Sequence, residues 1–297
     1  MKWEREVAAS EVSFDVSPHE RLLLLGPSGA GKSSILRTLI GLRAPAAGSV
    51  VLFGGESNAG VRGTESIGYV PDAPVFDRIP VAGMIRWCSG FHPAWNHERA
   101  AALQSLFGIE GSRRCDRLSS FESCGLSLLL ALAHEPPLLI IDDPARTLEP
   151  GERQRFWSAV SAGLADRPGA AILASSALSG PISSASSLMV LRQGRVALAG
   201  EIGELEARVR RIEFVNEGED ARCLDLWFCH KVKIRGRELE LLVDNFDEAT
   251  WRRFIESPGV AEARATPVGL EELYAELVRE RKTPGEARLE ARTRHVS

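Results

Sequence analysis

Short apolar runs alternate with amphipathic stretches through the first two thirds of the chain, and that alternation predicts an α/β sheet with helices on its faces. "RLLLLG" reads as a buried strand feeding a glycine-rich turn, and "KSSILRTLIGL" follows with Ile35, Leu36, Leu39 and Ile40 at helical spacing. Further strands are predicted at "SVVLFG", "SIGYVP", "PLLIID", "AAILAS" and "LMVLRQGRVALAG". Between Pro71 and Pro136 the pattern turns helical. Asn96 stands where an N-cap belongs, and Ala101, Leu103, Leu106 and Phe107 follow at helix-like spacing. A helix from about Cys124 to His134 is apolar nearly all round, which predicts burial.

After Leu205 the pattern changes. "RIEFVN", "CLDLWF", "ELELLV" and "GVAEARATPV" read as strands and "FDEATWRRFIES" as a helix. Leu270, Leu273, Tyr274, Leu277 and Val278 form the single apolar stripe of a last helix. The expected organisation is an α/β domain over 1–205 with a helical insertion at about 73–135, a small α+β domain over 206–281, and a loose polar tail over 282–297.

Composition narrows the class. The 297 residues suffice for a sizeable core, and 44% hydrophobic with 26% charged residues is ordinary for a soluble globular chain. A formal charge of −4 and no basic stripe argue against a nucleic-acid partner. The five cysteines are odd in number and scattered, which gives no disulfide framework. Cys229 and His230 are adjacent in a predicted strand and would point to opposite faces, so they make no ligand pair. The longest apolar runs fall short of the roughly 20 residues that span a bilayer, and "MKWEREVAAS" has acids where a signal peptide would be apolar. A cytoplasmic protein that meets the membrane only through a partner is expected.

The chemistry concentrates in "GPSGAGKS", Gly26 to Ser33, which fits G-x-x-x-x-G-K-[ST] between a predicted strand and a predicted helix. Gly26, Gly29 and Gly31 let the backbone curl with its N–H groups inward, an anion nest at a helix N-terminus. Lys32 can reach the β and γ phosphates, and the Ser33 hydroxyl can ligate magnesium. With Ser28, Ala30 and Ser34, these residues form the expected nucleotide-binding set. "PLLIID" ends a buried strand in Asp142, an acid placed to hold magnesium through its water shell. The two motifs together predict binding of ATP with Mg2+.

The order of these motifs around a helical insertion resembles the ATP-binding cassette (ABC) ATPases over about residues 1–205. The likeness is carried by "VSFDVSPHERLLLLGPSGAGKSSILRTLIGLRAPAAGSVVLFG" and "LSSFESCGLSLLLALAHEPPLLIIDDPARTLEP". "FHPAWNHERAAALQSLFGI" and "GVAEARATPVGLEELYAEL" are similar to the exporter branch, whose ATPase partners a separate membrane permease. The resemblance implies two ATPase subunits head to tail, each ATP lying between one subunit's phosphate loop and the other's signature motif.

Position by position, the resemblance marks Trp3 as either an adenine-stacking aromatic or a residue packed on the core. Ser119 matches the signature serine, but Phe121 replaces a small residue that lets backbone approach the γ-phosphate, and Glu122 would bring negative charge toward a negative ligand. Asp72 stands for a glutamine that touches magnesium and attacking water; it can still ligate Mg2+. Asp143 stands for the catalytic glutamate. It is one methylene shorter, and a retreat of about 1 Å can cost on the order of 10²-fold in rate, so it reads as a weakened base or a capping residue. Ala177 replaces the switch histidine, and Glu149 an aspartate. The residues that hold nucleotide are kept while those around its γ-phosphate are changed. Two readings remain open at this point: an exporter subunit with weak or partner-dependent hydrolysis, and a non-hydrolysing regulatory module.

Overall fold

The computed structural model describes residues 8–56, 66–165, 167–217 and 228–278. Trp3, Cys223 and the tail 282–297 lie outside them, as does the expected strand "CLDLWF" apart from Phe228. The chain divides into two compact units, 1–207 and 208–297.

In the first unit β1 (Arg21–Leu25) is fully buried from Leu22 onward and leads into α1 (Lys32–Leu39). A short hairpin, β2 (Val51–Leu52) and β3 (Gly55–Glu56), takes the place of the single strand predicted at "SVVLFG". The reason is local: Phe53 and Gly54 both take positive φ, at 52° and 78°, which turns the chain back after two residues. β4 (Ile67–Val70) precedes three helices, α2 (Val81–Ser89), α3 (His97–Leu106) and α4 (Ser120–Ala133). Asn96 caps α3, its side chain accepting from the Arg99 N–H at 2.8 Å. α4 starts a turn earlier than its apolar run, because Ser119 and Glu122 close a capping box over its first turn.

β5 (Leu138–Asp142) is wholly buried and is followed by α5 (Pro150–Ala165), a helix without a marked apolar stripe that nonetheless buries Phe156, Trp157, Val160 and Leu164. β6 (Ala170–Ser175), β7 (Ser187–Arg192) and β8 (Arg195–Glu201) complete the sheet, and α6 (Ile202–Arg208) follows. The run "LMVLRQGRVALAG" is thus two strands. Gln193 and Gly194, with φ of 49° and 74°, form the two-residue turn between the paired Arg192 and Arg195.

The strand order is β4-β5-β6-β1-β7-β8, parallel from β4 to β7 with β8 antiparallel at the edge. β1 lies inside this sheet, so the turn that follows it opens at the carboxyl ends of the strands, where ligands of open α/β sheets bind.

The second unit is a four-stranded antiparallel sheet in the order β10-β11-β9-β12, built from β9 (Arg210–Asn216), β10 (Phe228–Arg235), β11 (Glu238–Asp244) and β12 (Val260–Pro267). Asp247 caps α7 (Glu248–Ile255), whose Phe254 packs into a core of Ile212, Phe214, Leu239, Leu241 and Val243. α8 (Leu270–Val278) buries Leu270, Leu273 and Leu277 of its predicted stripe. Cys229 packs against this core, while His230 lies 3.6 Å from Asp244, and no group of three or more potential metal-binding side chains occurs among the described residues.

Candidate nucleotide site

The loop between β1 and α1 depends on glycine at particular points. Gly31, with φ of 99°, is the N-cap of α1, and a Cβ there would collide with the Ala8 carbonyl. A Cβ on Gly26 would meet the Leu191 carbonyl at 2.6 Å. Gly29 takes φ of 82° and has open space, so its glycine serves the turn alone.

Ser28, Gly29, Ala30, Gly31, Lys32, Ser33 and Ser34 line one cavity of about 360 Å³ together with Asp72, Asp142, Asp143 and Arg146. Gly26 stands just behind it and closes the cradle through the Lys32 ammonium, which donates to the Gly26 carbonyl at 2.6 Å and to that of Pro27 at 3.2 Å. Lys32 is 7% exposed, and burial lowers its pKa, with Asp143 and Asp142 opposing. A triphosphate entering the cavity would offer that ammonium stronger acceptors than two carbonyls.

The Ser33 hydroxyl donates to Asp142 Oδ1 at 2.8 Å, and the Tyr69 hydroxyl to Oδ2 at 3.3 Å. Burial raises the pKa of Asp142, and it raises that of Tyr69 to about 12 with Asp142 adding to the effect. Ser33, Asp142 and Asp72 supply hard oxygen donors in one cavity, the donor chemistry Mg2+ takes when nucleotide phosphates complete its shell. The residues therefore fit the metal. Asp72 pairs with the Arg37 guanidinium at 3.2 Å. Neither Tyr69 nor Arg37 was singled out in the sequence, since an aromatic in a strand and an arginine in a helix carry no motif.

Asp143 takes the left-handed conformation, φ 51° and ψ 42°, which aspartate tolerates better than most residues. Its Oδ2 accepts from the Ser176 N–H at 2.9 Å and the Ser176 hydroxyl at 2.8 Å, and Oδ1 from the Ser175 hydroxyl at 3.5 Å. Burial raises its pKa despite those donors. The carboxylate thus ties the end of β5 to the end of β6. Ala177 follows directly, its N–H donating to the Ser175 hydroxyl at 3.1 Å.

Ser119 to Glu122, the segment that the resemblance marks as the signature, do not line the cavity. The Ser119 hydroxyl accepts from the Glu122 N–H at 3.2 Å, and the Ser119 N–H donates to the Glu122 carboxylate at 2.7 Å. The negative charge that Glu122 brings is paired, its carboxylate lying 2.6 Å from the Arg113 guanidinium. Phe121 turns inward, 5.0 Å from the Phe107 ring and with the Arg155 guanidinium 4.7 Å over its face. Glu149 is exposed.

A mostly parallel sheet with a phosphate loop after β1, an acid ending β5 and a helical insertion between them define a P-loop ATPase fold of the ABC type. The ABC transporter family model matches residues 9–146. The chain is 32% identical over 208 residues to an Fe(3+) ions import ATP-binding protein of Pseudomonas fluorescens, covering 67% of this chain and 58% of that one. It is 31% identical over 234 residues to a like-named protein of Rhodococcus jostii, covering 71% and 66%. The chain thus spans under two thirds of the length of these curated relatives. A solved ATP-binding subunit of an ABC transporter superposes with a TM-score of 0.59 over 69% of this chain and 88% of its own, at 22% identity. This chain therefore carries an ABC transporter ATP-binding domain and is homologous to ABC ATPase subunits. The exporter branch gains no support, because both named relatives are described as import proteins. No helix of the described residues is long and apolar enough to cross a membrane.

Proposed function

We propose that this chain binds MgATP and uses that binding to drive or gate a separate membrane permease from the cytoplasmic side, with slow hydrolysis of its own. The single observation that carries this is the convergence of Lys32, Ser33, Asp72 and Asp142 on one cavity at the carboxyl ends of the sheet. In this reading the glycine loop and Lys32 hold the phosphates. Ser33 and Asp142 would hold Mg2+, which would supply charge neutralisation to the phosphates.

Ser119 lies outside the cavity, as the signature serine would if it served the nucleotide of a second ATP-binding subunit. The permease and that second subunit are the proposed partners. Export is not retained, and the import descriptions of the relatives favour the opposite direction, which the permease would set.

A non-hydrolysing regulatory module is the second reading, and one feature favours it. The Asp143 carboxylate is engaged by Ser176, and Ala177 brings no imidazole to the γ-phosphate side. Equilibrium binding of MgATP and release of phosphate by the purified chain test both. Binding abolished by Lys32→Ala with slow, Lys32-dependent turnover supports the first reading; tight binding without turnover supports the second. Failure to bind nucleotide overturns both.

A further inference from the structure

We infer that Arg37 is a positioning residue that governs how strongly nucleotide binding depends on magnesium, by pairing with the Asp72 carboxylate at the cavity that would receive the metal and the triphosphate. The inference rests on the nucleotide-binding reading above.

Ser33 and Arg37 are four residues apart on α1 and so share one face of the helix. From that face Arg37 Nη2 reaches Asp72 Oδ1 at 3.2 Å, and the Arg37 charge also acts on the Tyr69 hydroxyl. Tyr69 in turn donates to Asp142 Oδ2 at 3.3 Å, and Ser33 to Asp142 Oδ1 at 2.8 Å. Two sets of polar contacts, Arg37 with Asp72 and Asp142 with Ser33 and Tyr69, therefore stand side by side at the cavity.

Charge gives that arrangement its consequence. Asp72, Asp142 and Asp143 all line the cavity that would receive an anionic triphosphate. Without metal, an unpaired Asp72 would repel the ligand, and Arg37 reduces that repulsion. With magnesium bound to the phosphates, the same carboxylate becomes an attractive group. The Arg37 and Asp72 side chains are 45% and 35% exposed, so their pair is weak and can be exchanged for contact with a divalent cation. A glutamine at position 72 would carry no charge to pair, so this dependence follows from the aspartate.

The test is the dissociation constant of ATP measured by calorimetry on the full chain, once in magnesium chloride and once in EDTA. The ratio of the metal-free to the metal-bound constant is the readout. Arg37→Gln should raise that ratio about two- to fivefold, the range set by a half-exposed ion pair, and Asp72→Asn should lower it. In the Asp72→Asn background Arg37→Gln should leave the ratio where Asp72→Asn alone puts it. Arg37→Lys, which keeps the charge, should stay near the parent and guards against loss of folding. An Arg37→Gln effect of equal size in both backgrounds, or an unmoved ratio, overturns the inference. A parent chain that binds ATP in neither buffer overturns the functional reading and this inference with it.

Discussion

Replacing Asp143 by alanine and by asparagine separates a clamp from a base. In Asp143→Ala the two Ser176 donors, at 2.9 and 2.8 Å from Oδ2, lose their shared acceptor. The hydroxyl can turn elsewhere, but the half-buried N–H cannot, and such a loss costs about 1–3 kcal/mol. Burial holds the pKa of this carboxylate up, so removing the ionised group returns part of that cost. A net loss of about 1–2 kcal/mol remains. For a unit of 207 residues this lowers the melting temperature by about 2–8 °C. Asparagine keeps an acceptor oxygen and sheds the buried charge, so Asp143→Asn should melt with the parent or above it. Thermal unfolding by circular dichroism reads the order directly. If Asp143 also acts as a base, phosphate release falls alike in both variants, by up to about 10² to 10⁴-fold. An alanine variant that melts with the parent, or an asparagine variant that falls as far as alanine, refutes the clamp.

Other outcomes follow from the same geometry. Gly31→Ala should abolish nucleotide binding in a dialysis assay, because the added Cβ meets the Ala8 carbonyl at a residue with φ of 99°. Phe121→Ala should cost about 3–5 kcal/mol in urea unfolding, since its buried ring packs on Phe107. Asp142 and Asp143 both have folded pKa values above 3.8, so each binds its proton more tightly folded than unfolded. Their contribution to stability is therefore greatest at acid pH and declines as pH rises through the folded values. Asp142→Asn should flatten part of that decline in nucleotide-free urea melts while weakening the Mg2+ dependence of ATP binding.

Local patterns in the sequence identify the phosphate loop, the Asn96 cap and the α/β class, because each depends on residues close in the chain. Three things escape such patterns. The hairpin at β2 and β3 requires a positive φ at Phe53, a residue type that gives no turn signal. α5 buries its aromatics without a clean stripe, so periodicity passes over it. The partners of Asp143 and Asp72 come from other segments: Ser176 lies 33 residues beyond Asp143, and Arg37 lies 35 before Asp72. The strand order depends on the same long-range pairing, and alternation along the chain carries no information on it.

Those distant partners change how the carboxylates that the resemblance singles out should be weighed. Read singly, Asp72 and Glu122 each add a carboxylate where the resemblance has a neutral residue, and Asp143 a shorter carboxylate where it has glutamate. In the folded chain each has a cation or a pair of donors: Arg37 for Asp72, Arg113 for Glu122, and Ser176 for Asp143. Phe121 likewise spends its ring on Phe107 and Arg155 instead of projecting outward. The substitutions are thus accommodated in the nucleotide-free fold, and the acidic residues add less repulsion than their formal charges suggest. Ala177 differs from these, because a methyl group cannot donate a hydrogen bond to a γ-phosphate, whatever surrounds it. Ala177→His by itself should therefore raise phosphate release in any subunit pair whose base is intact. Combined with Asp143→Glu in this chain alone it should gain less, because the longer carboxylate must first leave Ser176. Equal gains from the single and double changes would show that the clamp does not restrain the base.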